Sequence, residues 1–516
     1  MRKQRRFLIL VLTALILLVE LVWIGLSLYR SPERYLNAED ASEMILAQQM
    51  QQEGSLLSSN WYYSTELRVL SPNLLWALLF NLSGDWAFIR ALGTVCMACL
   101  MLTSYFVLVR RARLGVTGFA LSPLLLAPFS PVFFPYAVLL PYYSVPVIIG
   151  FLTVACCVQS EKSGWPFRLL VCVLNLFFGM GGVRGLLTLH LPMLFVLAGN
   201  FLKRENSLRA LKKREYGLAL LPVVSFLLGF VIHQLVLAPR YHLLGMSQVV
   251  TALPTAQQLT TRLLDIVAYF GFYPSNTVAS PEGLSSGCAL ALTLLVAMGA
   301  IFVIRRRDGN PAGRWITEYL LAAVAVSLLS FLFLSMYAPR YYIPSLAFCV
   351  PVLAVAFRGL GADSRLRQRA FIVAVVGCFC VTTVTGGWYQ AHRAENLEMK
   401  KVATLLQAQG YDLGYASQWN GNVLTELTNG EVRCVPVTNF DTLEKQQWLT
   451  DTGDPTQKYK GRVYLILTPA EAAGEGAALA AKAQANGKLL YQTEAYLAYG
   501  FDSVESLKKL LPAQSE

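Results

Sequence analysis

Glu39 and Asp40 form an acidic pair within residues 30–90, a polar stretch of about sixty residues where connections between packed helices usually take only about 2–8. A carboxylate placed there can accept or deliver a proton. Arginines are the complementary group, because a guanidinium can hold an anion through several hydrogen bonds at once. Arg68, Arg184, Arg240 and Arg340 all stand near apolar stretches, where a charge is costly unless paired. Tyr341 directly follows Arg340, Arg184 lies in the turn GMGGVRG, and His242 comes two residues after Arg240. Each of these also has a plainer reading. Asp40 precedes ASEMILAQQM and fits the N-cap of a helix. Arg340 and Arg184 fit headgroup snorkelling or a structural ion pair, and Arg68, Arg240 and His242 are weaker members of the set. His190 and His233, flanked by apolar residues, fit satisfied positions in a helix bundle.

The elements that must position these side chains are membrane spans. The chain of 516 residues is 55% hydrophobic and 14% charged with mean hydropathy +0.48, against the roughly 25% charged of a soluble chain, which excludes an ordinary soluble protein. Its net charge of +12 does not point to nucleic acid, because the Lys and Arg fall between apolar runs in alternate loops. MRKQRR and the apolar run 7–29 resemble a secretory signal. That run is about 23 residues, longer than the usual 7–15 of a signal, so it is expected to be a retained first span. Further spans are expected at 86–109, 114–134, 145–159, 169–182, 186–201, 216–238, 287–304, 315–336, 341–357 and 370–388, about eleven in all near the ~20 residues a bilayer requires. With the N-terminus inside, about 23 Lys/Arg lie in cytoplasmic loops and about 8 in outward segments before Tyr389. The long loops 30–85 and 239–286 and the tail then face outward.

Within the first loop, Met44, Ile45, Ala47 and Met50 are spaced to lay one face of a helix on the membrane surface. A second surface helix is expected from Ser71-Pro72, a cap followed by proline at the first helical position. Trp61, Tyr62 and Tyr63, between the two, are expected at headgroup depth, as anchors or as a stacking surface for a sugar or lipid headgroup. The tail alternates helices (395–409, 422–428, 470–485, 504–511) with β-prone runs (413–416, 431–437, 463–468, 489–493), as a small α/β domain does. The expected fold is therefore mainly α: a polytopic bundle over 1–388 and an extracytoplasmic α/β domain over 389–516. All cysteines except Cys434 fall in apolar spans, where they behave as small hydrophobes. No His/Cys cluster with metal-ligand spacing is visible.

One span, an outward loop opening on Glu39-Asp40, a surface helix, Gly54, a second surface helix and Gly84-x-x-x-x-x-Arg90 leading into span two resembles the GT-C glycosyltransferases. Protein O-mannosyltransferases, with eleven spans, N inside and C outside, and lipid A aminoarabinose transferases share this layout. The resemblance covers the membrane part, about three quarters of the chain, as an arrangement rather than a strict motif. It implies a transferase that takes a sugar from a polyprenyl-phosphate donor to an envelope glycan, lipid or protein at the outer face of a bacterial cytoplasmic membrane, with membrane lipids as neighbours. No cofactor is expected, a divalent metal is not indicated though left open, and the placement of Lys and Arg gives no nucleic-acid partner. It also implies that an acidic residue of the first loop activates the acceptor, which assigns that role to Asp40, with Glu39 as second choice. Many members read Asp-Glu where this chain reads Glu-Asp, so both stay in play. The pair Arg340-Tyr341 resembles a recurrent feature of these enzymes; Arg184, Arg68 and His242 complete the set expected to hold phosphate.

A transporter or flippase with an outer ligand-binding domain is the alternative, and Glu20, near the middle of the first span, is its best support. A third reading is a non-catalytic receptor or assembly factor in which the tail does the work. The transferase reading requires Asp40 and Arg340 to converge on one cavity.

Overall fold

A computed structural model of the chain describes residues 2–67, 69–130, 132–158, 164–204, 213–244, 254–273, 276–306, 310–333 and 339–511. Arg68, one of the arginines expected to hold phosphate, lies outside the described residues.

Helix α1 (Arg2–Arg30) leads into a first loop built as α2 (Ala38–Glu53), β1 (Trp61–Tyr63) and α3 (Pro72–Leu79). The bundle continues with α4 (Trp86–Arg111), α5 (Gly115–Ala120), α6 (Ser144–Val158), α7 (Trp165–Gly181), α8 (Leu191–Arg204) and α9 (Lys213–Ile232). The second loop holds β2 (His242–Leu243) and α10 (Ala256–Tyr269), and α11 (Pro281–Arg305), α12 (Pro311–Phe333), α13 (Ile343–Asp363) and α14 (Arg365–Ala391) follow. Among the described residues eight helices are long and apolar enough to cross a membrane, and Gly115–Leu125, Trp165–Gly181 and Leu186–Phe201 are shorter apolar helical stretches.

Residues 114–134 are not the continuous span expected of them. After α5 comes a 3-10 turn at Ser122–Leu125, and the chain turns helical again only in a wide turn at Phe134–Leu139. Pro123, Pro128 and Pro135 each lack the N–H that a continuing helix needs. Tyr136 lies in that wide turn, and Tyr142 and Tyr143 lie in a 3-10 turn at Pro141–Tyr143 that leads into α6.

The second loop helix begins where the sequence places it and the first begins two residues before Asp40, but the surroundings of both differ from expectation. Met44, Ala47 and Met50 do not lie on a membrane surface. They are fully buried, Met44 and Ala47 against Trp76, Trp86 and Ile89, and Met50 against Trp61 and Tyr63. Each methionine so removed from water contributes about 1.5–3 kcal/mol. Nor is Trp61-Tyr62-Tyr63 a headgroup anchor. It is the middle strand of a three-stranded sheet, pairing in parallel with β2 of the second loop and antiparallel with the tail strand Thr450–Asp451, and Trp61 is only 1% exposed. Alternation along a strand turns Trp61 and Tyr63 to one buried face.

The tail is the α/β unit read from the sequence. Its elements are α15 (Leu397–Ala408), β3 (Leu413–Ser417), α16 (Gln418–Leu427), β4 (Arg433–Asn439), β5 (Glu444–Lys445), β6 (Thr450–Asp451), β7 (Val463–Leu467), α17 (Pro469–Ala473), α18 (Ala477–Asn486), β8 (Lys488–Gln492), β9 (Leu497–Phe501) and α19 (Val504–Lys508). A six-stranded sheet runs β5-β4-β3-β7-β9-β8, with β3 parallel to both β4 and β7 and β9 antiparallel to its neighbours. Strand β7, VYLIL, is buried throughout, as a central strand covered on both faces must be. Leu36 and Ala41 of the first loop belong to the same apolar core as Val402, Leu406, Val423 and Ile466 of the tail, so the start of α2 is embedded in the tail domain.

Candidate functional site

Helix α2 is capped by Asn37, not by Asp40. The Asn37 side chain accepts from the Asp40 N–H at 3.0 Å, satisfying one of the free donors of the first turn. Asp40 therefore sits in the first helical turn with its carboxylate available for other work. Asn37 also donates its amide to one Asp40 oxygen, and the residue as a whole is only 7% exposed. Burial pushes the Asp40 carboxyl up to about 8; Arg90 pulls it down, and Glu39, Glu43 and Glu426 push it further up.

Glu39 meets the arginine that the sequence singles out. Arg340, in the 3-10 turn Pro339–Tyr342 that opens α13, pairs with Glu39 through contacts of 3.0 and 3.4 Å. The guanidinium of Arg340 also lies over the Tyr136 ring at 6.0 Å. Burial raises the Tyr136 hydroxyl and the charges of Asp40 and Glu39 push it further up, while Arg340 lowers it by its charge and a hydrogen bond.

Arg184 forms the second half of the site. Its guanidinium pairs with Glu66 at 3.1 Å, donates to the Tyr143 hydroxyl at 3.0 Å and lies over the Tyr341 ring at 4.4 Å. Tyr142 donates to the other Glu66 oxygen at 3.2 Å. Burial disfavours the charge on Arg184, but Glu66 and the surrounding tyrosines more than offset it and hold the guanidinium firmly protonated. An open pocket lies against Glu66, Tyr142, Tyr143 and Arg184, and its remaining wall is apolar, with Leu67 and Phe178 among its residues. The edge-to-face packing of Tyr143 on Tyr136, 6.3 Å between centroids, joins this half to the Glu39–Arg340 half.

The fold thus brings together Glu39, Asp40, Arg340, Tyr341 and Arg184. The structure places His242 elsewhere: it is exposed on β2, its ring 5.2 Å from that of Tyr62, and Arg240 is exposed nearby. His233 is satisfied, with Nδ1 2.9 Å from the Met180 carbonyl. His190 is not, contrary to expectation; it is fully buried against Phe226 and neither ring nitrogen has a hydrogen-bond partner among the described residues. Both carboxylate oxygens of Glu20 are likewise buried without a partner there. No three His, Cys, Asp or Glu side chains among the described residues gather as a metal site would require.

Two residues of the site were not singled out by type and spacing. Arg90, the landmark at the start of span two, is 0% exposed, and its Nη2 donates to the Asp40 carbonyl at 2.9 Å. Its Nε and Nη2 also grip both oxygens of Glu426 on α16, the latter at 2.7 Å. Glu426 is a tail residue 336 positions away, and nothing in its local sequence, TELTNG, marks it. Burial raises the Glu426 carboxyl, with Arg90 opposing.

No family model and no curated protein sequence matches the chain. Solved structures do. The crystal structure of ArnT from Cupriavidus metallidurans bound to undecaprenyl phosphate is similar with a TM-score of 0.59 at 15% identity, over 98% of this chain and 99% of that one. The apo state of the same protein gives 0.58 at 13%, with the same coverage. The archaeal oligosaccharyltransferase AglB from Archaeoglobus fulgidus, in complex with an inhibitory peptide and a dolichol-phosphate, gives 0.50 at 11%, over 99% of this chain and 75% of that one. At these identities the likeness is one of architecture, and over nearly its whole length the chain has an ArnT-like fold.

Proposed function

We propose that this chain is a membrane glycosyltransferase that moves a hexosyl or pentosyl group from a polyprenyl-phosphate donor to an acceptor hydroxyl outside the cytoplasm. The observation that carries the proposal is the Glu39–Arg340 pair, next in sequence to the buried Asp40 and linked through Tyr136 and Tyr143 to Arg184; the cavity lies on the Arg184 side, and neither Asp40 nor Arg340 lines it. Support from architecture comes from structures whose ligands are an undecaprenyl phosphate and a dolichol-phosphate. The acceptor is an envelope glycan, lipid or protein, and the site faces outward in a bacterial cytoplasmic membrane. The charge pattern of the loops supports that orientation.

In this reading the acceptor oxygen attacks the anomeric carbon of the donor. The bond from that carbon to the phosphate oxygen breaks, its electrons leave with the polyprenyl phosphate, and the acceptor proton passes to Asp40. Arg340 and Arg184 stabilise the phosphate as its charge develops, which a guanidinium does best by paired hydrogen bonds. Both are already held by carboxylates, Glu39 and Glu66, so a donor phosphate joins or displaces those pairs. The apolar wall of the cavity beside Arg184 suits the first isoprenyl units of such a lipid. No cofactor is assigned a step.

The test compares envelope glycans and the polyprenyl-phosphate-sugar pool by mass spectrometry in cells carrying the wild type, a deletion, or Asp40→Asn at equal expression. The proposal expects the deletion and Asp40→Asn to lose one decoration while its lipid-linked donor accumulates. An unchanged pool and unchanged glycans in the deletion would refute it.

A further inference from the structure

We infer that Glu426 of the tail domain is a positioning residue for the Asp40 carboxylate, acting through Arg90, so that the tail is a working part of the transfer site. The inference rests on the proposed function and adds to it a residue that lies in a different domain from the acidic pair.

Three observations converge on it. Arg90 is the link: one of its nitrogens, Nη2, serves both the Asp40 carbonyl at 2.9 Å and Glu426 at 2.7 Å, so Glu426 fixes where Arg90 holds the first turn of α2. The neighbours of Asp40 are held by the same domain. Ala41 is fully buried in the tail core with Val423 and Leu424 of α16, and Asn422 donates to the Ala38 carbonyl at 3.4 Å. The remaining side of Arg90 is closed as well. Its guanidinium lies 5.0 Å from the centre of the Trp76 ring, which sits so close to α4 that a Cβ on Gly93 would stand 2.4 Å from the indole nitrogen. A cation enclosed in this way has little freedom to follow Asp40 if Glu426 is removed, and a displacement of about 1 Å at a reacting group can cost on the order of a hundredfold in rate.

Charge acts in the same place. The ionisable groups acting on Asp40 are Arg90 from α4, Glu426 from α16, and Glu39 and Glu43 from its own helix, with Tyr136 facing it from the broken stretch between α5 and α6. Arg90 favours the ionised carboxylate and the three glutamates oppose it. Neutralising Glu426 removes one opponent and leaves the Arg90 cation uncompensated. Both changes favour ionisation of Asp40, so the rise of activity with pH moves to lower pH.

The test uses purified full-length protein reconstituted into membranes of the deletion strain, which hold both lipid-linked sugars and acceptor, with release of polyprenyl phosphate followed from pH 5.5 to 9.5. The donor is varied by adding the polyprenyl-phosphate-sugar fraction extracted from the same strain. Glu426→Gln keeps the shape of the side chain and is expected to lower kcat about tenfold or more with little change in KM. It is also expected to move the rising limb down by about one pH unit, with Glu426→Asp restoring much of both. An unmoved limb overturns the inference whatever happens to kcat, because a merely structural tether would leave the limb in place. Should Glu426→Gln not fold, Arg90→Gln/Glu426→Gln removes both charges at once. Its limb is expected above that of the wild type, since Arg90 is the stronger influence on Asp40, and an unmoved limb again overturns the inference. If the wild type releases no polyprenyl phosphate, the proposed function fails and the inference with it. If the wild type is active and Asp40→Asn is not, an unmoved Glu426→Gln limb defeats the inference alone.

Discussion

Arg90 and Glu426, 336 residues apart in sequence, form a fully buried ion pair in which two guanidinium nitrogens meet two carboxylate oxygens. The pair fastens the start of the second span to the tail domain at the point where the acidic pair of the first loop is held.

Breaking such a pair leaves an uncompensated charge in the interior, whereas replacing both partners with apolar groups does not. Arg90→Met and Glu426→Leu are each expected to destabilise the protein by about 3–5 kcal/mol. The double variant should recover most of that loss. Thermal unfolding in detergent, read for the two singles and the double, checks this; additive losses would contradict it.

The Asp40 carboxyl is held at about 8, well above the ordinary carboxylate range, by burial. Its base form therefore accumulates as pH rises through about 8, and transfer is expected to increase along the same limb. Stability has the opposite sign. A carboxyl whose folded pKa is raised favours the folded state at low pH, fully so below its unfolded pKa of about 3.9. That contribution is lost as pH rises through about 8. Asp40→Asn should abolish transfer and flatten this fall in unfolding temperature between pH 5 and 9. An unchanged slope would show that Asp40 is not the group that titrates.

Glu39 and Asp40 are adjacent but differently placed. Glu39 holds Arg340 in a half-exposed pair, and Asp40 is enclosed. Loss of Arg340 removes a cation from the leaving phosphate, so Arg340→Ala is expected to lower kcat by about a hundredfold or more. Glu39→Gln leaves that cation in place and should cost less than about tenfold. Steady-state kinetics on both variants checks the ranking; a larger loss from Glu39→Gln than from Asp40→Asn would transfer the role of base to Glu39.

The Asn37 cap ties the first turn of α2 to the Asp40 backbone and side chain. Asn37→Ala should lower stability by about 1 kcal/mol, the ordinary value of a lost cap, while Asn37→Ser, which keeps a capping oxygen without setting a second carboxylate against Asp40, should retain most of it. Chemical denaturation of the two variants measures the difference, and equal losses would argue against the cap.

Where a signal is local, the sequence carried it. Hydropathy located the eight described helices long enough to span a membrane but also joined 114–134 into a span that the chain breaks, the Ser71-Pro72 start of α3 was legible, and the β-prone runs of the tail matched β3, β4, β7 and β8. Arg184, Arg340 and the acidic pair stood out because charge beside apolar sequence needs a partner. The partners themselves were not legible, since Glu66 and Glu426 meet their arginines only through long-range packing. Trp61 and Tyr63 misled for a related reason. Aromatic residues in an outward loop suit a membrane interface, but pairing with β2 and β6 gave them a protein interior. His242 was drawn in by its chemistry and left out by its position on the exposed strand β2.

The central claim is sugar transfer with Asp40 as base. It is tested most directly by measuring polyprenyl phosphate released from lipid-linked sugar in deletion-strain membranes supplied with purified wild type or Asp40→Asn at equal amounts. The account predicts release by the wild type, together with loss of the lipid-linked sugar, and none above background by Asp40→Asn. Equal release by the two proteins, or none by the wild type, would contradict it.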